Sequence, residues 1–230
     1  MVARLWYGLS VALCVFDLDH TLIQTPLDLA AMAIDMRALI ERANGLLPAR
    51  PERYRVGELI AHCQSSAPDL ETAVWEVALD HERRAMEVAV LEPGALAAIV
   101  GARRRGFATA IWTNNARELT VPALARLGLA DELDLVVTRD DMRALKPDPD
   151  GWRVISEHFG KLHDAGALRN AVVVGDSWVD GVAASKAGIP FIAYRARQEE
   201  LDRWQVKPIV HLADLALLPA WLAAQRNGRS

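Results

Sequence analysis

Val11-Ala12-Leu13-Cys14-Val15-Phe16-Asp17-Leu18-Asp19-His20-Thr21 passes from six apolar residues to two acids with no turn residue between them. A short apolar run ending at acids predicts a strand buried on both faces, as in a parallel sheet covered by helices. Such sheets bind ligands beyond the carboxyl ends of their strands, which is where Asp17 and Asp19 stand. In an extended segment their spacing points both side chains the same way. Paired carboxylates repel, so a counter-cation is expected, and a hard, oxygen-seeking ion such as magnesium suits them.

Downstream the pattern turns helical from Pro26, with Leu27, Ala30, Ala31, Ile34 and Ala38 at the spacing of one helix face. Asn44–Gly57 holds Gly45, Pro48 and Pro51 among Arg50, Arg53 and Arg55 and reads as a loop. Those arginines suit either recognition of an anionic substrate group or plain solvation of a basic loop. Beyond Pro68, Asp69 can open a helix with Leu70, Val74, Val77, His81, Ala85 and Val88 on one face. Residues 25–90 thus read as all-helical, with no strand signal.

At Glu92-Pro93-Gly94 strand and helix signals begin to alternate. Apolar runs at Phe107–Trp112, Leu135–Thr138, Ala171–Val174 and Phe191–Ala193 are separated by helical stretches at 95–105, 116–127, 150–159 and 180–187. The economical architecture is an α/β chain: a Rossmann-like parallel core of residues 1–24 and 91–230, interrupted once by an all-helical insert of residues 25–90.

Polar clusters sit at the ends of these runs or in the adjoining loops: Asp17-Leu-Asp19-His-Thr21, Thr113-Asn114-Asn115, Lys146-Pro147 and Gly175-Asp176-Ser177-Trp-Val-Asp180. The predicted topology gathers them at one rim. Asp176 and Asp180 add oxygen ligands or supporting acceptors, and either can also cap the helix predicted near Asp180. Lys146 brings a fixed positive charge, while the Thr113 hydroxyl and the Asn114 N–H can donate to oxygens of an anion.

Phe-Asp17-Leu-Asp19-His-Thr21-Leu, Trp-Thr113-Asn114-Asn, Leu-Lys146-Pro-Asp-Pro and Val-Gly-Asp176-Ser-Trp-Val-Asp180 resemble, in this order, the four motifs of haloacid dehalogenase-type phosphatases. The insert falls where that family carries a helical cap, and phosphoglycolate phosphatase-like enzymes are the nearest type. The resemblance implies that Asp17 is a nucleophile forming an aspartyl-phosphate and that Asp19 is the acid and base, fixed by Thr21. It further implies phosphate contacts from Thr113 and Asn114, and orientation and charge from Lys146. Magnesium would be held by the Asp17 carboxylate, the Asp19 backbone carbonyl and Asp176, with support from Asp180. His20 stands where that family most often has glycine, and Trp112 is bulkier than its usual aliphatic residue.

The implied activity is hydrolysis of a small phosphorylated metabolite. A phosphomutase or phosphotransferase, a carbon–halogen hydrolase and a non-catalytic binding module are the alternatives. A net charge of −4 offers no general attraction to nucleic acid, so any phosphate must be held by a local site. No long uninterrupted apolar stretch predicts a membrane span. The apolar N-terminus runs straight into Asp17, so cleaving it as a signal peptide would remove the first strand, and residues 1–10 read as a short packed extension. Two cysteines, Cys14 and Cys63, make no disulfide framework or zinc spacing and fit a reducing cytoplasm. His62, His81, His158, His163 and His211 share no metal spacing, and Trp75, Trp152, Trp178, Trp204 and Trp221 read as packing residues. Monomer and homodimer are both compatible with these features.

Overall fold

The computed structural model describes residues 12–43, 47–162 and 170–227, so the expectation for residues 1–10 lies outside the described part, as does His163. The chain divides into two compact units, one formed by Thr25–Ala89 and the other by the sequence on either side of it.

The helical unit holds α1 (Leu29–Arg42), α2 (Val56–Ser66) and α3 (Glu71–Glu87). Asp28 starts α1 by accepting the N–H groups of Ala30 and Ala31, each at 2.9 Å, which satisfies two of the donors that a helix start leaves unpaired. Helix α1 buries Met32, Ala33, Met36 and Ile40, not the expected face, and Ile34 is 57% exposed. The expected stripe was mostly alanine, and longer side chains gain more from burial, so Met and Ile set the rotation. Helix α3 buries Val74 and Ala85 of its expected face together with Ala78, Glu82 and Met86, and leaves Val88 exposed. Asp69 does not open α3 but lies inside a single 3₁₀ turn, Pro68–Leu70, that precedes it. His81 Nε2 lies 2.8 Å from Asp35 Oδ2 and links α3 to α1.

Arg50 grips both carboxylate oxygens of Glu58 at 2.6 and 3.1 Å, stacks over the Tyr54 ring and reaches the Arg53 carbonyl at 2.8 Å. Glu58 in turn accepts the Arg55 N–H at 2.7 Å, at the start of α2. Arg50 is therefore a brace within its own loop.

In the second unit, β1 (Ala12–Phe16) is followed by β2 (Ile23–Gln24), which pairs antiparallel with β3 (Val90–Leu91) across the helical unit's two junctions. This ribbon was not expected, since two-residue strands show no periodicity. Then come α4 (Ala95–Arg104), β4 (Phe107–Trp112), α5 (Arg117–Arg126), β5 (Leu135–Val137), α6 (Asp150–Leu162), β6 (Asn170–Gly175), α7 (Trp178–Lys186), β7 (Phe191–Tyr194), α8 (Gln198–Arg203), β8 (Val210–Leu212) and α9 (Leu218–Asn227). Among the described residues the main sheet has six strands, all parallel, in the order β5-β4-β1-β6-β7-β8.

Counted along the main sheet alone, this is the 3-2-1-4-5-6 order of a Rossmann-like core, and its direction reverses between β1 and β6. Every residue of β1 is buried, as expected for a strand flanked on both sides and covered on both faces. Strand β8 and helices α8 and α9 go beyond the expected elements. Val210-His-Leu212 is too short and too mixed to stand out as a strand. Cys14 and Cys63 are both free and buried, and no helix among the described residues is long and apolar enough to cross a membrane.

Candidate active site

The site forms where β1 and β6 end side by side. The Asp17 N–H donates to the Val174 carbonyl at 2.9 Å, carrying the ladder one residue past β1. The chain then turns back tightly, with Leu22 and Ile23 donating to the Leu18 carbonyl at 2.8 and 3.0 Å. His20 occupies this turn with φ +56°, a left-handed conformation that costs a side-chain-bearing residue about 1–2 kcal/mol and a glycine almost nothing. That explains the preference for glycine at this place. The His20 side chain is exposed.

Lys146 is the most constrained group. Its ammonium is buried and donates to Asp17 Oδ1 at 2.7 Å, the Trp112 carbonyl at 2.7 Å and Asp180 Oδ1 at 2.5 Å. All three N–H donors of a lysine are thereby used. The two carboxylates hold this ammonium above its ordinary pKa despite burial, which acts the other way. Its backbone is held as firmly, because the Asn114 carboxamide accepts from the Lys146 N–H at 2.9 Å and donates to the Lys146 carbonyl at 3.0 Å.

Glycines make room for two of these arrangements. A Cβ on Gly175 would lie 2.6 Å from Asp180 Cγ, so only glycine lets that carboxylate turn back toward Lys146. A Cβ on Gly151 would lie 2.0 Å from Trp112 Nε1, so the bulky Trp112 is accommodated by a glycine in α6. Asp180 stands in the first turn of α7, which is capped by Ser177 and starts two residues earlier than expected. Its Oδ2 takes the Ser177 hydroxyl at 2.6 Å and the Ser177 N–H at 3.2 Å. One carboxylate thus caps a helix and anchors the lysine.

Asp17, Asp176 and Asp180 bring carboxylate oxygens within 4.8 Å of one another. Burial, aided by the charge of Asp180, pushes the Asp17 carboxyl up to about 7 against the pull of Lys146. Burial and the neighbouring Asp17 and Asp180 push Asp176 up to about 9. Three carboxylates facing one ammonium form a site that is over-negative for its degree of burial. A proton or a cation must relieve it. The donors are all hard oxygens, and metal–oxygen distances of about 2.0–2.1 Å put magnesium ligands at most about 4.2 Å apart. The cluster fits such an ion with small side-chain movements.

The structure brings Asp17, Thr21, Lys146, Asp176 and Asp180 into contact or close approach, and Thr113 and Asn114 belong to the loop that clamps Lys146. Where the resemblance implies that Thr21 fixes Asp19, the Thr21 hydroxyl donates to Asp17 Oδ2 at 3.3 Å. Asp19 Oδ2 is instead met by the side-chain amide of Asn115, a residue with no assigned part in the sequence reading. The only sequence signal was that Asn115 follows Thr113 and Asn114 in the same polar cluster. Trp178 lies flat on Trp204, with centroids 4.0 Å apart and planes at 9°, and is a packing residue.

A family model described as haloacid dehalogenase-like hydrolase matches residues 11–188. A plasmid-borne phosphoglycolate phosphatase of Cupriavidus necator is 42% identical over 103 residues, which span 45% of this chain and 42% of that protein. A phosphoglycolate phosphatase of Nitrosospira multiformis is 32% identical over 79% of this chain and 82% of its own length. The crystal structure of a haloacid dehalogenase-superfamily hydrolase of subfamily IA, variant 1, from Geobacter sulfurreducens superposes with a TM-score of 0.59 at 23% identity, covering 92% of this chain and 99% of that one. It shares the fold.

Proposed function

We propose, from the premise that this chain belongs to the haloacid dehalogenase-like hydrolase family, that it is a magnesium-dependent phosphatase working through an aspartyl-phosphate on Asp17. The observation that carries this reading is the buried Lys146 ammonium, 2.7 Å from Asp17 Oδ1 and anchored from behind by Asp180. A carboxylate so oriented, at the end of β1 and beside a cluster fit for a cation, is built to attack an electrophile that carries negative oxygens. The Thr25–Ala89 unit is read as the cap of such an enzyme.

In the first half-reaction an Asp17 oxygen bonds to phosphorus as the bond from phosphorus to the ester oxygen breaks. Asp19 gives its proton to that departing oxygen. In the second, Asp19 takes a proton from water, whose oxygen displaces Asp17 from phosphorus and releases inorganic phosphate. The Thr113 hydroxyl and the Asn114 N–H donate to phosphoryl oxygens, and Lys146 holds Asp17 and offsets charge. Magnesium, held by the carboxylates of Asp17 and Asp176 and the Asp19 carbonyl, would supply further neutralisation of the phosphoryl oxygens. Asp180 already has one oxygen on Lys146 and the other on Ser177, so it supports this set without joining it.

Phosphoglycolate is the substrate proposed first, because the relatives at 42% and 32% identity bear that name. Purified protein is expected to release phosphate from it faster than from a panel of other small phosphomonoesters, and chelation of magnesium is expected to stop turnover. Transfer to a second substrate without phosphate release would point to a phosphomutase. Silence toward the whole panel with magnesium present would overturn the reading.

The carboxylate cluster also ties stability to pH. With Asp17 raised to about 7 and Asp176 to about 9, the folded protein holds more protons than the unfolded chain from about pH 4 upward. Stability without a divalent ion is therefore expected to fall as pH rises from 5 to 8. Magnesium competes with those protons, so its stabilising effect should grow over the same interval. At about 100 times its Kd a ligand adds about 2.7 kcal/mol, or roughly 5–10 °C for a chain of this size. Melting curves at pH 5 and pH 8, with magnesium and with chelator, test this. An equal shift at both pH values would contradict it.

A further inference from the structure

We infer that Asn115 is a positioning residue for the acid, holding Asp19 so that its proton faces the departing oxygen; the inference rests on the phosphatase reading above. Asn115 is buried and comes from the loop after β4, while Asp19 lies 96 positions earlier in the turn after β1. Its side-chain amide donates to Asp19 Oδ2. Its own backbone is pinned on both sides, because the Asn115 N–H donates to Thr113 Oγ1 at 3.2 Å and the Asn115 carbonyl accepts the Arg139 N–H at 3.1 Å. The donor that reaches Asp19 is thus itself fixed, by the same loop that supplies Thr113.

The chemical consequence follows from the two oxygens of one carboxyl. In a protonated carboxyl the carbonyl oxygen is the better acceptor, so an amide donor on one oxygen favours the acidic proton on the other. With Oδ2 committed to Asn115, the proton resides on Oδ1. In the first half-reaction that proton passes from Asp19 Oδ1 to the ester oxygen as the phosphorus–oxygen bond breaks and the Asp17–phosphorus bond forms. Asp19 is left as a carboxylate with Oδ2 still held by the amide. Thr21 does not substitute for this, since its hydroxyl is turned to Asp17.

Leaving groups of different basicity provide the test. A nitrophenolate departs without needing a proton, whereas an alkoxide requires one. In a reaction through a covalent phosphoryl-enzyme, kcat/KM reports only the steps up to the first departure. Asn115→Ala is expected to lower kcat/KM for an alkyl phosphate by about 10²-fold, the usual scale of a general acid's contribution. It is expected to leave kcat/KM for p-nitrophenyl phosphate within about threefold of the parent enzyme. Asn115→Asp keeps the shape, removes the donor and should repeat the split, which guards against one variant that fails to fold. Losses in equal proportion for both esters, or no loss for either, would overturn the positioning role while leaving the phosphatase reading intact. A parent enzyme that cleaves neither ester would overturn both.

Discussion

Asp17→Asn is expected to reduce phosphate release on the order of 10³-fold or more while leaving the fold at least as stable as the parent in the absence of a divalent ion. The loss of rate follows because a carboxamide cannot form the acyl phosphate, and removal of a covalent nucleophile is among the most damaging single changes an enzyme can suffer. The stability half is the sharper test. Burial and Asp180 already push the Asp17 carboxyl toward its neutral form. A neutral residue of the same shape therefore relieves repulsion among Asp17, Asp176 and Asp180. The amide oxygen can still accept from Lys146, and its NH₂ group can face the Thr21 hydroxyl, which would then act as acceptor. Melting temperature in chelator at pH 8, measured beside phosphate release, checks both halves. A variant that melts well below the parent, or that keeps a tenth of the activity, would contradict the assignment of Asp17 as a strained nucleophile.

Lys146→Met should have the opposite profile, inactive and unstable together. The side chain keeps its length but loses the ammonium, which strands Asp17, Asp180 and the Trp112 carbonyl without their common donor. Breaking a buried ion pair from one side costs about 3–5 kcal/mol, because the remaining charge stays buried and unpaired. For a chain of this size that corresponds to a fall in melting temperature of roughly 6–20 °C. Magnesium should recover part of it by neutralising the carboxylates left unpaired. Turnover should drop by about 10²–10³-fold, since a preorganised positive charge at the reacting group is lost. Thermal melting with and without magnesium checks the first figure, and steady-state kinetics the second. Arginine should not rescue the site, because a planar fork cannot converge on three acceptors that a single ammonium reaches. A Lys146→Met protein as stable as the parent would show that the three short contacts are not what holds the strand ends together.

The contrast between these variants separates two uses of one cluster. Asp17 is held in an environment that disfavours its charge, and function requires that charge. Lys146 is held in one that favours its charge, and both stability and function rest on it. Strain of the first kind is commonly carried at reacting groups and compensated elsewhere in the fold. Here the compensation includes Asp180, which serves Lys146 with one oxygen and the start of α7 with the other. The glycine at 175 is the steric condition for that double use.

Much of this was written in short-range patterns. The apolar run before Asp17, the spacing of two between the acids, and the later alternation of apolar runs with helices are local features, and each forms from neighbours in sequence. They sufficed for the α/β core and for the nomination of Asp17, Lys146 and Asp176, which the fold brings close together. Helix faces were less legible. In α1 the period was right but the rotation was not, because an alanine-rich stripe gives no clear winner until Met32, Met36 and Ile40 find something to pack against. Short elements such as β2, β3 and β8 carry too few residues for any pattern.

What the sequence by itself determined, then, is which residues stand at the strand ends, since a buried parallel strand must be apolar and must stop where its chain turns polar. Only the tertiary structure decided who holds whom: Thr21 turned to Asp17, Asn115 joined Asp19 across 96 positions, and Asp180 bridged Lys146 and Ser177. Those pairings depend on β1 lying between β4 and β6 and on which rotamer survives close packing there. A hydrogen bond needs a donor within about 3 Å and a suitable angle, and no one-dimensional pattern carries that geometry.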